Sequence, residues 1–142
     1  MQNFKLDPKL YADTWPVTDL GLCQLLLMND ARYTWFILVP QRVSLSEIFE
    51  LTPSDQTQLM AEISLVSKLL KQMTNCTKIN VGALGNIVRQ LHIHVIARHD
   101  DKSAPDLAWP GPVWGNGVAI PYDDHTAQSV INRFTKLLTS VE

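Results

Sequence analysis

Cysteine is scarce in this chain of 142 residues. Cys23 and Cys76 are the only two and fall in different predicted elements, which argues against a disulfide framework. Surplus positive charge is missing as well: the formal net charge is −2 and no stretch concentrates Lys and Arg, so the chain lacks the footprint of a nucleic-acid-binding surface. Long apolar runs are also absent. The longest, residues 25–28, 36–40 and the glycine-broken 113–121, fall far short of the roughly 20 residues that cross a bilayer. The opening Met-Gln-Asn-Phe-Lys-Leu-Asp-Pro has no apolar core of a secretory signal. What is present is 46% hydrophobic and 18% charged residues, the balance of a folded soluble chain rather than a disordered one. At this length one domain spanning residues 1–142 is expected, in the cytoplasm, with neither a nucleic-acid nor a membrane partner.

Turn and breaker residues divide the chain. Residues 22–28 read as a strand ending at Asn29-Asp30, and Trp35-Phe-Ile-Leu-Val-Pro40 as a second strand stopped by proline, the two joined as a hairpin. Thr52-Pro53-Ser54-Asp55 is a helix start, with a hydroxyl cap and proline at the first helical position. Leu59, Ile63, Val66, Leu70 and Met73 then lie on one helical stripe, so residues 53–73 should pack across the sheet. Residues 79–81 begin another strand, and Gly82 to Gly85 form a turn into a strand at 87–97. The Pro-, Gly- and Trp-rich stretch 108–117 is a loop whose tryptophans anchor it to a surface, and a final amphipathic helix starts near Asp124. Hairpin strands with helices outside that alternation indicate an α+β domain on an antiparallel sheet, with one long helix packed on it and an additional C-terminal helix.

The strand at 87–97 carries the chemistry. Alternation puts Gln90, His92 and His94 on one face and Leu91, Ile93 and Val95 on the other. Arg89, Arg98 and His99 are read as lying off the histidine face, the two arginines as solvated charge. Three readings of the His-x-His pair stand side by side. The two rings satisfy buried hydrogen bonds. They supply two ligands to zinc or iron, with a third from His99, His125, Cys23, Cys76, Asp100 or Asp101. Or one imidazole attacks phosphorus while its neighbour handles charge and protons. Spacing alone does not choose.

Gly85-Asn-Ile-Val-Arg-Gln-Leu-His-Ile-His-Val-Ile-Ala97 resembles the signature of the histidine-triad (HIT) superfamily, His-φ-His-φ-His-φ-φ with φ apolar. A glycine-led segment precedes the triad in that family as Gly85-Asn-Ile-Val88 does here. The likeness covers a core of about residues 20–98, leaving 99–142 as a C-terminal extension. With Gln-Leu-His-Ile-His and the following Trp-Pro-Gly-Pro-Val-Trp-Gly, the chain is similar to a small bacterial HIT-like group. The resemblance implies that His92 is a nucleophile attacking the α-phosphorus of a nucleotide derivative, giving a nucleotidyl-histidine, its other ring nitrogen donating to a backbone carbonyl. It implies that His94 stabilises phosphate charge, without cofactor or metal, and that the chain forms a homodimer through its helix and an edge strand. Gln90 stands at the first triad position, where an amide hydrogen-bonds but carries no proton. Ile87 stands where relatives place Ser or Thr, leaving the backbone of the turn containing Gly85 and Asn86 to meet the anion. Asn80 matches an amide that contacts substrate, and Asp30 an acid that bonds ribose hydroxyls, though both residue types also serve ordinary turns. Trp109 lies where relatives place C-terminal segments beside the site. The implied activity is hydrolysis or transfer at the α-phosphate of a small nucleotide derivative, such as a phosphoramidate or a dinucleoside polyphosphate. A nucleotide-binding module with little turnover, or a metal-dependent hydrolase using His92 and His94, are the alternatives.

Overall fold

The computed structural model describes residues 3–100, 113–115 and 117–141. Short helix α1 (Pro8–Asp13) leads into strands β1 (Thr14–Asp19), β2 (Cys23–Met28) and β3 (Trp35–Pro40), followed by helix α2 (Pro53–Thr74), strands β4 (Lys78–Gly82) and β5 (Ile93–Arg98), and helix α3 (Asp124–Thr139). The strands form a single antiparallel sheet in the order β1-β2-β3-β5-β4. The expected α+β architecture with a long helix and a C-terminal helix is the one observed. Strand β1 went unread in the sequence because Pro16 interrupts it. It is an edge strand whose register shifts between Pro16 and Thr18, a place where proline is tolerated.

Both faces of the sheet are covered, but differently. Leu25, Leu27, Phe36, Leu38, Ile93, Val95 and Ala97 pack beneath the helices. Helix α2 contributes Leu59, Ile63, Val66 and Leu70, and α3 contributes Phe134, whose ring lies 4.4 Å from that of Phe36. Thr52 caps α2 by accepting from Asp55 N, Pro53 occupies the first helical turn, and Asn75 ends the helix at φ 52°. The opposite face carries Leu26, Trp35, Ile37, Val39 and Ile96 under Leu10, Tyr33 and Val113, with Phe4, Leu6 and Trp114 packed alongside. The histidine face is therefore roofed by the short helix α1 and irregular segments rather than by long helices, which leaves room for a cavity.

The histidine strand is shorter than its alternation suggests: β5 begins at Ile93, not at 87. Its pairing partners run out. The register Leu38↔Ile93 would set Pro40, which has no N–H, opposite Leu91, and Leu91 N donates instead to Leu45 O. On the other side β4 ends at Gly82, paired with His94, so Gly82 is the last strand residue and not part of the turn. Residues 83–92 form an irregular loop, with Gly85 at φ 73°. Arg98 also departs from expectation. Positions 94, 96 and 98 share a face, and the Arg98 side chain is buried there, donating to Asn80 Oδ1 and stacked near Tyr33.

Buried Glu62 on α2 ties the helix to the start of β2, accepting from Leu22 N at 2.7 Å and Cys23 N at 2.8 Å. Glu62→Ala would strand both buried N–H groups, with an expected loss of about 3 kcal/mol. The check is a lowered urea midpoint at unchanged m-value; a stability within about 0.5 kcal/mol of wild type would contradict this account.

Candidate active site

His92 is the last loop residue before β5 and His94 the second residue of the strand; both are buried, at 6% and 8% exposure, with ring centroids 4.9 Å apart. Their hydrogen bonds assign their tautomers. His92 Nδ1 lies 2.7 Å from Gln90 O, and a carbonyl only accepts, so in the neutral ring the proton sits on Nδ1 and Nε2 has the free lone pair. His94 Nδ1 lies 3.0 Å from Trp35 Nε1, an indole N–H that only donates, so in the neutral ring the proton sits on Nε2. The pair is thus a lone-pair donor beside an N–H donor. Burial, helped by the neighbouring His92, pushes the His94 pKa down to about 3, which keeps that ring neutral at physiological pH. Trp35 was not singled out in the sequence, where it reads only as the first residue of a strand; the register that sets β3 beside β5 reveals its role.

Both histidines line a cavity of about 870 Å³ on the roofed face. Its floor is the β3–β5–β4 portion of the sheet, including Ile37 and Asn80; its rim is the 83–88 loop, and Trp114 closes one side. Asn80, Gly85 and Asn86 all lie on the wall. Arg98 holds Asn80 Oδ1 at 2.9 Å, so the donor end of that amide is the one available to a ligand. Ile87 is 83% exposed at the rim and offers no hydroxyl.

Two expected contributors lie elsewhere. The Gln90 side chain does not line this cavity: its Oε1 accepts from Asp7 N and its Nε2 donates to Lys5 O, both at 2.8 Å. With β5 starting only at Ile93, strand alternation does not extend to residue 90. The Asp30 carboxylate, 1% exposed, is also off the cavity wall, accepting from Arg32 and from Ile120 N. Burial pushes its pKa up, but these hydrogen bonds outweigh that and hold it below the ordinary carboxylate range. Asn29 beside it accepts from Trp15 Nε1 and Tyr122 N, so this turn fastens the 120–122 segment to the sheet. Among the described residues, no cluster of three or more His, Cys, Asp and Glu side chains forms that could hold a metal ion. Trp109 and Asp101 lie outside the described residues. No described helix is long and apolar enough to cross a membrane.

A family model described as HIT domain matches residues 12–101. A solved histidine triad protein from Sinorhizobium meliloti is 52% identical, over 94% of this chain and 96% of that one, at a TM-score of 0.87. One from Marinobacter aquaeolei is 40% identical, over 99% and 100%, at 0.90; one from Bradyrhizobium japonicum is 42% identical, over 95% and 98%, at 0.87. No curated protein sequence matches.

Because His94 binds protons less readily folded than unfolded, its contribution to stability is constant above its ordinary pKa of about 6.5 and is lost as pH falls from there toward about 3. The expected slope approaches about 1.4 kcal/mol per pH unit inside that window. Urea midpoints measured from pH 7.5 to 4.5 should fall less steeply in His94→Gln than in wild type. Parallel curves would show that His94 is not held neutral by the fold.

Proposed function

From the premise that the chain belongs to the histidine triad (HIT) family, we propose that it is a nucleotide hydrolase or nucleotidyl transferase acting at the α-phosphorus of a nucleotide derivative through a covalent intermediate on His92. Nucleotide binding or phosphate-ester chemistry of this general kind is what family membership supports. The observation that carries the finer reading is the Gln90 O to His92 Nδ1 hydrogen bond at 2.7 Å, which leaves the Nε2 lone pair as the nucleophile of a ring lining the cavity.

The step follows from that polarity. His92 Nε2 forms a bond to phosphorus as the bond to the leaving group breaks, the electron pair departing with that group, which takes up a proton from solvent. As the imidazole loses its lone pair it becomes cationic, and its Nδ1–H bond to the carbonyl strengthens. His94, neutral and with its Nδ1 occupied by Trp35, presents Nε2–H to the phosphoryl oxygens on which charge accumulates. Water or another acceptor then forms the new bond to phosphorus, giving up its proton to solvent, as the P–Nε2 bond breaks and its electron pair returns to His92 Nε2. Burial of both rings favours this arrangement, since a donor in a poorly solvated wall acts on developing charge with little screening.

A second reading, a nucleotide-binding module with little turnover, is favoured by two observations. Gln90 spends its amide on the backbone of Lys5 and Asp7, and Ile87 brings no hydroxyl to the rim.

Incubation with adenosine 5′-phosphoramidate discriminates. Release of AMP, with a transient protein adduct of one adenylyl mass mapped to His92, is expected. His92→Ala should lower turnover by at least about 10³-fold while leaving the unfolding transition cooperative. Tight AMP binding with no product over long incubation would establish the binding-module reading, and undiminished turnover in His92→Ala would refute the nucleophile.

A further inference from the structure

Arg98 is 3% exposed at the end of β5, and its side chain lies on the histidine face without lining the cavity. A guanidinium is costly to bury and stays in such a place only when specific partners hold it. Its Nη1 donates to Asn80 Oδ1 at 2.9 Å, and its Cζ lies 5.8 Å from the centroid of the Tyr33 ring. Strand register explains the meeting. Asn80 pairs with Ile96, so its diagonal neighbours on β5 are His94 and Arg98. Residues so related lie about 7–8 Å apart at Cα, within reach of long side chains. Asn80 therefore stands between the N–H donor His94 and a buried cation.

That cation decides which way the amide faces. An unconstrained asparagine presents either its oxygen or its NH2 to a ligand, but a guanidinium only donates, so the oxygen is retained at Arg98. The oxygen and nitrogen of an amide diverge from one carbon. With Oδ1 turned to Arg98, Nδ2 turns away from it, and of the two residues Asn80 is the one on the cavity wall. Rotating the amide would set donor against donor. The bond from a charged donor is the stronger kind, and it polarises the N–H groups at the other end of the amide.

The wall holds other donors of a different kind. His94 presents Nε2–H. Lys9 Nζ is engaged by Asp13 at 2.8 Å, and Lys78 Nζ donates to Ile79 O, both on exposed side chains. An ammonium on a flexible stem attracts an anion without fixing where an oxygen must sit. The Asn80 amide is half-buried on a strand and fixed from behind. We propose that Arg98 is a positioning residue: by occupying Asn80 Oδ1 it locks the amide as a donor to an acceptor oxygen of the bound nucleotide, on the phosphate or the ribose. This rests on the nucleotide reading above and assigns a role to a residue beyond the last position of the HIT signature, which ends here at Ile96. Holding a donor in place before the ligand arrives is what makes its hydrogen bond effective.

Titration calorimetry with AMP and adenosine on the full chain tests this. Asn80→Ala should weaken AMP binding roughly tenfold. Arg98→Met, which keeps much of the side-chain length but neither donor nor charge, should weaken it about fivefold. The double variant should bind within about twofold of Asn80→Ala alone, because an effect exerted through the amide vanishes with the amide. Arg98→Lys, again a donor-only cation, should restore affinity to within about threefold of wild type. If Arg98→Met does not unfold cooperatively, Arg98→Gln replaces it in the cycle; its side chain both donates and accepts, so the amide is free to turn and the same loss is expected. Losses confined to AMP place the acceptor on the phosphate, and equal losses with adenosine place it on the ribose. Losses that multiply in the double variant would make Arg98 purely structural and overturn the proposal, as would unchanged affinity in Asn80→Ala. Wild-type protein that binds neither AMP nor adenosine would instead overturn the nucleotide reading itself, and this proposal with it.

Discussion

Everything proposed for this site depends on two buried imidazoles using the same ring atom in opposite ways. His92 Nδ1 donates to the Gln90 carbonyl, and His94 Nδ1 accepts from the Trp35 indole. Each hydrogen bond dictates what the far nitrogen is: a lone pair on one ring, an N–H on the other. Had both rings faced carbonyls, the site would hold two nucleophiles and no donor. Had both faced indoles, it would hold two donors and nothing to attack with. The complementarity is achieved by the main chain of an irregular loop for one histidine and by a neighbouring strand for the other.

Gln90 links this arrangement to the rest of the fold. Its carbonyl orients His92, while its side chain binds the backbone of Lys5 and Asp7 and so docks the segment leading into α1. Leu10 of that helix is part of the cavity wall. One residue therefore couples the orientation of the candidate nucleophile to the closing of the roof above it. The opposite face has a different task. Helices α2 and α3 bury it in a continuous apolar layer, and Glu62 ties α2 to β2 through two main-chain N–H groups. Rigid backing of this kind is what a pair of side chains needs if they are to be held at a few ångströms with little freedom.

Much of this was legible from one dimension. The cap and stripe of α2, the hairpin of β2 and β3, the C-terminal helix and the histidine pair each carry a local signal: a hydroxyl before proline, a period of 3.6, a proline ending a strand. Other features had no such signal. Alternation from 87 to 97 looks like one strand, but strands need neighbours, and Pro40 and the end of β4 withdraw them before Ile93. The even positions 94, 96 and 98 do carry Arg98 onto the histidine face, where burial against Asn80 and Tyr33 takes the place of the solvated charge first read there. Asp30 shows a further limit. A turn acid that could meet a ligand is instead consumed by Arg32 and Ile120, a partner 90 residues away.

The sequence by itself determined which groups are present and which local elements carry them: two imidazoles one residue apart, an amide in place of a third, a glycine where the loop turns to positive φ. Periodicity, capping and turn chemistry act between residues a few positions apart, so they are written in the order of the chain. Tertiary structure alone decided the tautomer of each ring, the removal of Gln90 and Asp30 from the cavity, and the arrival of Trp35 and Trp114 beside His94. Those outcomes depend on hydrogen bonds and contacts between segments up to 93 residues apart, whose meeting is set by strand register and by which polar groups find partners once water is gone.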